Sequence, residues 1–283
     1  MRLKKLKNPS SKKRRMDMVL IFVAAIIVFF EVAPFLWTLL MSFKSRLDIF
    51  EIPPKLFFTP TLNNYYAAFV EGSFSKYLIN SLIIDFSSTI LVIIIGVFAA
   101  YAFSRFKIFG SKHIFFFILT TRMCPAVVIV LPMFMIFSKF KLYDTHIGII
   151  LVHIVFNLGL TVWLMRGFFD DIPKEIDQAA MVDGHSNWTI FTKFMLPLVL
   201  PGIVVCAVFC LIFSWNEFLF ALILTQFNAV TLPAGLPELM TSRGTYWGQV
   251  ASVAVVITMP VLILTIVFHK YLIRGLTFGA IKT

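Results

Sequence analysis

Residues 175–201 read EIDQAAMVDGHSNWTIFTKFMLPLVLP, the most polar interval in the second half of a chain dominated by Ile, Leu, Val and Phe. Pro173 suits the first turn of a helix and Glu175 suits its positive end. Ile176, Ala179, Ala180 and Asp183 then share one helical face at i, i+3, i+4 and i+7, and the two alanines let another surface approach closely. Asp183-Gly184 reads as a stop, because glycine takes the left-handed conformation that ends helices at little cost. Ser186 or Asn187 can cap a second short helix carrying Trp188, Ile190, Phe191 and Phe194, and Pro197 marks the return to apolar sequence. The stretch predicts a helix–turn–helix offering a small-residue surface and aromatic anchors to a partner. An ordinary amphipathic loop lying on lipid headgroups is the alternative.

The surrounding chain explains why such an element stands out. Hydrophobic residues make up 59% of the 283 residues and charged residues 14%, and the mean hydropathy is +0.91. Soluble domains carry about a quarter charged residues, so this chain has too little polar surface for water and takes lipid as its solvent. The net charge of +11 sits at membrane edges, with eight Lys and Arg among the first fifteen residues. That cluster is a topology signal and a contact for anionic membrane lipid. No binding module accompanies the charge, so nucleic acid is not an expected partner. Cys124, Cys206 and Cys210 all fall in apolar runs without a CxxC or Cys/His cluster, so neither a metal site nor a disulfide framework is indicated.

Six apolar runs reach the roughly 20 residues that a span needs, at about 18–43, 77–103, 113–138, 146–169, 198–224 and 250–272. The first is too long for a signal-peptide core and is expected to remain as a span. The expected organisation is a basic cytoplasmic tail over 1–17, a six-span domain over 18–272 and a cytoplasmic tail over 273–283. Arg105, Lys107 and Lys112 follow the second span and Lys270, Arg274 and Lys282 lie at the end, whereas 225–249 holds only Arg243. Both termini, and the 172–197 loop, are therefore expected on the cytoplasmic side. Residues 44–76 and 225–249, rich in proline, are expected to be structured external segments.

The order QAAMVDG, nine residues, FMLP resembles the EAA loop of ABC importer permeases: Glu-Ala-Ala, Gly, nine residues, then Ile-x-Leu-Pro. Gln178, Ala179, Ala180, Gly184, Leu196 and Pro197 occupy those places. Gln178 stands where the family usually has Glu, which removes any salt bridge made there, and Phe194 stands where it often has Ile. Further matches in order are FSKYLINSL (74–82), AAYAFSRFKIFG (99–110), WLMRGFFDDIPKEI (163–176), FSWNEFLFALIL (213–224) and GLTFGAIK (275–282). Together these resemble the carbohydrate branch, of the maltose-permease G-subunit type. The resemblance implies an all-α, type I importer permease fold of six transmembrane helices in a prokaryotic plasma (inner) membrane. It also implies that 172–197 docks in a cleft of the ATP-hydrolysing subunit, with Gln178, Ala179, Ala180, Asp183, Gly184, Trp188, Phe194, Leu196 and Pro197 as coupling residues. The implied partners are a second homologous permease, an ATPase dimer and an extracytoplasmic solute-binding protein. ATP and Mg are implied at the ATPase and no cofactor on this chain, which carries no G-x-x-x-x-G-K-[ST].

Polar groups within spans are functional suspects by default. Trp215, Asn216 and Glu217 supply an aromatic face and hydrogen-bonding groups, and are candidates for the pathway of a hydroxyl-rich solute. The resemblance assigns most substrate contacts to the partner permease. Glu31 and Arg122 fit better as residues that pair with each other or cap broken helices. Asp170, Asp171 and Asp177 read as solvated loop charges, since no His completes a catalytic or metal set. A self-sufficient secondary transporter or channel is the alternative function, but it would want inverted repeats, and none is seen.

Overall fold

The computed structural model describes residues 11–242 and 244–277, with side chains from Met16 to Tyr271 apart from Arg243. The N-terminal basic stretch 1–10, the tail 278–283 and Arg243 lie outside the described residues. Nine principal helices follow in order: α1 (Ser11–Ser42), α2 (Phe74–Arg105), α3 (Ser111–Thr120), α4 (Ala126–Lys139), α5 (His146–Asp170), α6 (Lys174–Val182), α7 (Leu200–Trp215), α8 (Leu219–Leu224) and α9 (Trp247–Thr277).

Among the described residues four helices, α1, α2, α5 and α9, are long and apolar enough to cross a bilayer unbroken. The other two expected spans are interrupted. The run expected at 113–138 divides into α3 and α4 around Thr121–Pro125, because Pro125 cannot continue a helix and biases the residue before it away from the helical region. The run expected at 198–224 divides at Asn216–Phe218 into α7 and α8, and the segment leading into it, Asn187–Leu198, meets α7 at 73°. Only two or three polar residues stand at each break, so hydropathy averaged along the run reads each as continuous.

Two helices form the spine. α2 and α5 pack along their lengths, and a Cβ at Gly96 would stand 2.5 Å from Thr161 Cγ2, so glycine sets how closely they approach. In lipid the hydrophobic effect does not drive helices together, which leaves packing and interhelical hydrogen bonds as the glue. Asn157 Nδ2 on α5 donates to Ser214 Oγ on α7 at 2.9 Å, and Trp215 Nε1 donates to the Ile257 carbonyl on α9 at 2.7 Å. α1 is exposed from Met16 to Val32, and the helix it packs against most is α9.

Both proline-rich segments, 44–76 and 225–249, carry regular structure. The first carries a short helix at Arg46–Phe50, capped by Ser45, and a π-helical turn at Ala67–Glu71. The second carries a turn of helix at Leu232–Gly235 and a small hairpin pairing Met240–Thr241 with Gly244–Thr245. Asp144 pins this second segment. Its own backbone is left-handed (φ 54°), and its carboxylate accepts the backbone N–H groups of Gln226, Phe227, Asn228 and Ala229 at 2.9–3.2 Å. Burial of that carboxylate opposes ionisation, but the N–H groups of Gln226, Ala229, Asn228 and Phe227 outweigh it and hold its pKa below the ordinary carboxylate value.

Candidate functional site

The polar stretch between α5 and α7 folds as its local sequence dictates. α6 begins after Pro173 with Glu175 and Asp177 in its first turn. It ends in a left-handed glycine, Gly184 at φ 82°. His185 N–H bonds back to the Ala180 carbonyl at 3.1 Å and Gly184 N–H to the Met181 carbonyl at 3.0 Å, the double closure of a Schellman cap. Ser186 Oγ then accepts the Thr189 N–H at 3.2 Å and starts the second arm. That arm widens into a π-helix over Ile190–Met195 before Leu196 and Pro197 lead into the membrane. Such wide turns are rare and recur at functional places.

The element is fused to the spans along one side. Ala180, Ile190, Phe191 and Met195 are buried in one cluster with Val97, Tyr101, Leu164 and Phe169 from α2 and α5. Beneath it lies an ion pair that the sequence does not announce. Arg105 Nε at the end of α2 stands 2.7 Å from Asp177 Oδ2, both side chains being under 8% exposed. Arg105 Nη2 also donates to the Ile172 carbonyl at 2.9 Å, and Tyr101 Oη donates to Asp177 Oδ1 at 3.4 Å.

Two expectations change as a result. Asp177 is not a solvated loop charge but a buried carboxylate, because Arg105 reaches it from another span. Asp170 keeps an exposed side chain, though it accepts the Ser104 hydroxyl and pairs with Arg166 at 3.4 Å. The expected partner-facing surface of α6 is also divided. Ala180 turns inward at 4% exposure, while Ile176, Ala179 and Asp183 join Glu175 and Phe194 around an outward cavity of about 340 Å³ whose floor Ala180 completes. Gln178 and Pro197 are exposed, and Leu196 is half-buried against the core cluster. Trp188 is exposed but stacked on Phe98 of α2, with centroids 5.9 Å apart and rings 13° from parallel.

The three pathway candidates separate. Trp215 is buried and spends its indole N–H on α9. Asn216 is exposed and donates to the Ile212 carbonyl in its own helix. Glu217 caps α8, its two oxygens accepting the Phe220 and Ala221 N–H groups at 2.7 and 3.0 Å. It also lines a second cavity, of about 330 Å³, with Arg122, His153, Phe156, Asn157, Phe213 and Ser214. Arg122 does not pair with Glu31, which is exposed on α1. Its guanidinium lies 4.0 Å from the Phe213 ring centroid, and Nη1 is 3.4 Å from both the Phe156 carbonyl and Asn157 Oδ1. Sequence reasoning passed over Asp85, His153, Asn157 and Ser214. The available signal was their polarity inside apolar runs.

A family model described as the binding-protein-dependent transport system inner membrane component matches residues 92–278. The chain is 34% identical over 263 residues to the trehalose transport system permease protein SugB of Mycobacterium tuberculosis (strain CDC 1551 / Oshkosh), covering 91% of this chain and 94% of that one. It is 32% identical over 268 residues to the trehalose/maltose transport system permease protein MalG of Thermococcus litoralis, covering 93% and 96%. Among solved structures, a chain of a bacterial ABC transporter that imports the acidic polysaccharide alginate superposes with a TM-score of 0.78 at 22% identity, over 93% of this chain and 99% of that one. With a family model spanning more than half of the sequence and relatives aligned nearly end to end, the chain belongs to the inner-membrane permease components of binding-protein-dependent ABC importers, subunits that are not themselves the ATP-hydrolysing enzymes.

Proposed function

We propose that the chain is one permease half of an ATP-driven importer for a sugar, polyol or related glycoside. The solute class is supported by relatives named for trehalose and maltose that align over more than nine-tenths of the sequence. The observation that carries the mechanism is the two-sided element at Lys174–Pro197. One side is locked to α2 and α5 by the Arg105–Asp177 pair and an apolar cluster, and the other presents a cavity to the outside of the chain. A partner ATPase that seats a group in that cavity can therefore move the spans as a body. ATP is hydrolysed at that partner, with Mg as its cofactor. A second permease completes the pathway, a solute-binding protein delivers cargo from the far side, and both termini face the cytoplasm of a prokaryotic cell.

Co-purification tests this reading. The tagged chain, extracted in mild detergent from its native host, should carry with it one homologous permease and an ABC-type ATPase. The binding protein encoded beside it should then bind a sugar or glycoside in a ligand screen. Recovery of a homo-oligomer without an ATPase would overturn the proposal.

A further inference from the structure

The cavity between α3–α4, α5 and α7–α8 is built from groups whose polar capacity the protein itself does not use up. His153 lines it at 3% exposure, yet neither ring nitrogen has a hydrogen-bond partner among the described residues. Its neighbours, Asp85 Oδ1 at 3.6 Å and Glu217 Oε2 at 3.9 Å, stand beyond hydrogen-bond reach. Arg122 makes only the long Nη1 contacts and the face of Phe213, so its other N–H donors have no partner among the described residues. A guanidinium and an imidazole are costly to hold inside a membrane with contacts this long, and such groups mark solute paths. Asn157 and Ser214 add an amide and a hydroxyl, and the rings of Phe156, Phe213 and Phe220 add apolar faces.

We infer that this cavity is a subsite for a single pyranose ring of the transported glycoside, held by this chain rather than by the partner permease alone. Hydroxyls on the ring edge meet Arg122, His153, Asn157 and Glu217, and the C–H face meets the phenylalanines. Arg122 and Glu217 give the cavity one charge of each sign, which suits a neutral, hydroxyl-rich guest better than an ion. The volume of about 330 Å³ stands near the lower end of ligand clefts, roughly 300–1,000 Å³, and so fits one ring rather than a chain. His153 and Asn157 lie roughly two to three turns from the outer end of α5, opposite the end that leads to α6, where solute released by a binding protein would arrive.

The inference rests on the sugar-importer reading, and the test separates the two. The complete complex with its binding protein, in proteoliposomes, is assayed for uptake of trehalose, maltose and diacetylchitobiose together with ATP hydrolysis. Asn157→Leu and the milder Ser214→Ala should each keep ATPase stimulation by the binding protein while sugar moved per ATP falls about tenfold, the scale of one lost hydrogen bond; a merely structural defect would lower both together. In the unmutated complex the transported sugar should also slow, several-fold, modification of Cys124 by a methanethiosulfonate, since Cys124 lines the cavity and is exposed. Sugar uptake with an unchanged sugar-to-ATP ratio in both variants and no protection of Cys124 overturns the subsite alone. A wild-type complex that moves none of the sugars overturns the sugar-class reading and the subsite with it.

Discussion

Arg105 illustrates how one side chain can decide whether a polar loop between spans is a handle or a tether. Its charge is taken out of water only because Asp177 stands 2.7 Å away, and removing either member of a buried pair leaves the other uncompensated at about 3–5 kcal/mol. Arg105→Met and Asp177→Leu should each lower the thermal stability of the detergent-solubilised complex by about that much. The double variant should recover most of the loss, since two apolar groups replace two opposed charges. A double-mutant cycle by thermal unfolding reads this directly, and additive losses would show that the pair is not a stabilising unit. Asp144 gives the pH counterpart. Its folded pKa is depressed, so its stabilising contribution is present above the ordinary carboxylate value of about 3.9 and disappears as pH falls through the lower folded value. Asp144→Ala should therefore be destabilised at neutral pH and should lose less stability on acidification than wild type does, which melting curves across that range will test. Asp177 also shows what sequence cannot convey. Its neighbours are those of an exposed amphipathic turn, and its burial depends on a residue from a different span. Gly184 and Ser186, by contrast, were legible because a left-handed cap and an N-cap are local chemistry.

At the scale of elements, the division of α6 into an inner and an outer side yields a sharper experiment than the alanine pair suggests on its own. Ala179 faces out and Ala180 faces in, yet they are adjacent and chemically identical. Ala179→Glu should leave the chain inserted and recoverable while uptake and co-purification of the ATPase fail. Ala180→Glu should reduce recovery of the chain itself, because it drives a carboxylate among Tyr101, Phe169 and Met195. Equal recovery of the two variants from membranes would contradict this division. The broken spans teach the complementary lesson about legibility. The apolar length of α2 and α5 is unambiguous, whereas the breaks near Arg122 and Glu217 interrupt apolar sequence with only two or three polar residues. Those residues read as isolated suspects until the fold sets them around one cavity. Asp85 and His153 went unnoticed because each is a single polar residue in an otherwise uniform run.

Across the whole molecule these elements form one mechanical path. The α6 arm is tied by Arg105 to α2, α2 is packed against α5 through Gly96 and Thr161, and α5 carries His153 and Asn157 to the cavity on the far side. Packed interiors switch between discrete arrangements rather than deforming continuously, so a pull on α6 should rotate α2 and α5 together. This makes a prediction about distances that a flexible loop would not share. Spin labels at Gln178 and Lys107, both exposed, in a complex whose Cys124 has been replaced, should keep one separation through nucleotide-free, ATP-bound and vanadate-trapped states. A label at Gln178 paired with one on the opposing permease should change its separation between those states. If double electron–electron resonance shows the Gln178–Lys107 distance shifting with nucleotide, the Arg105–Asp177 tether yields during the cycle and the loop moves independently of the spans. Repeating the measurement in Arg105→Met then decides cause. A fixed distance in the parent that broadens or becomes nucleotide-dependent in the variant assigns the rigidity to that ion pair.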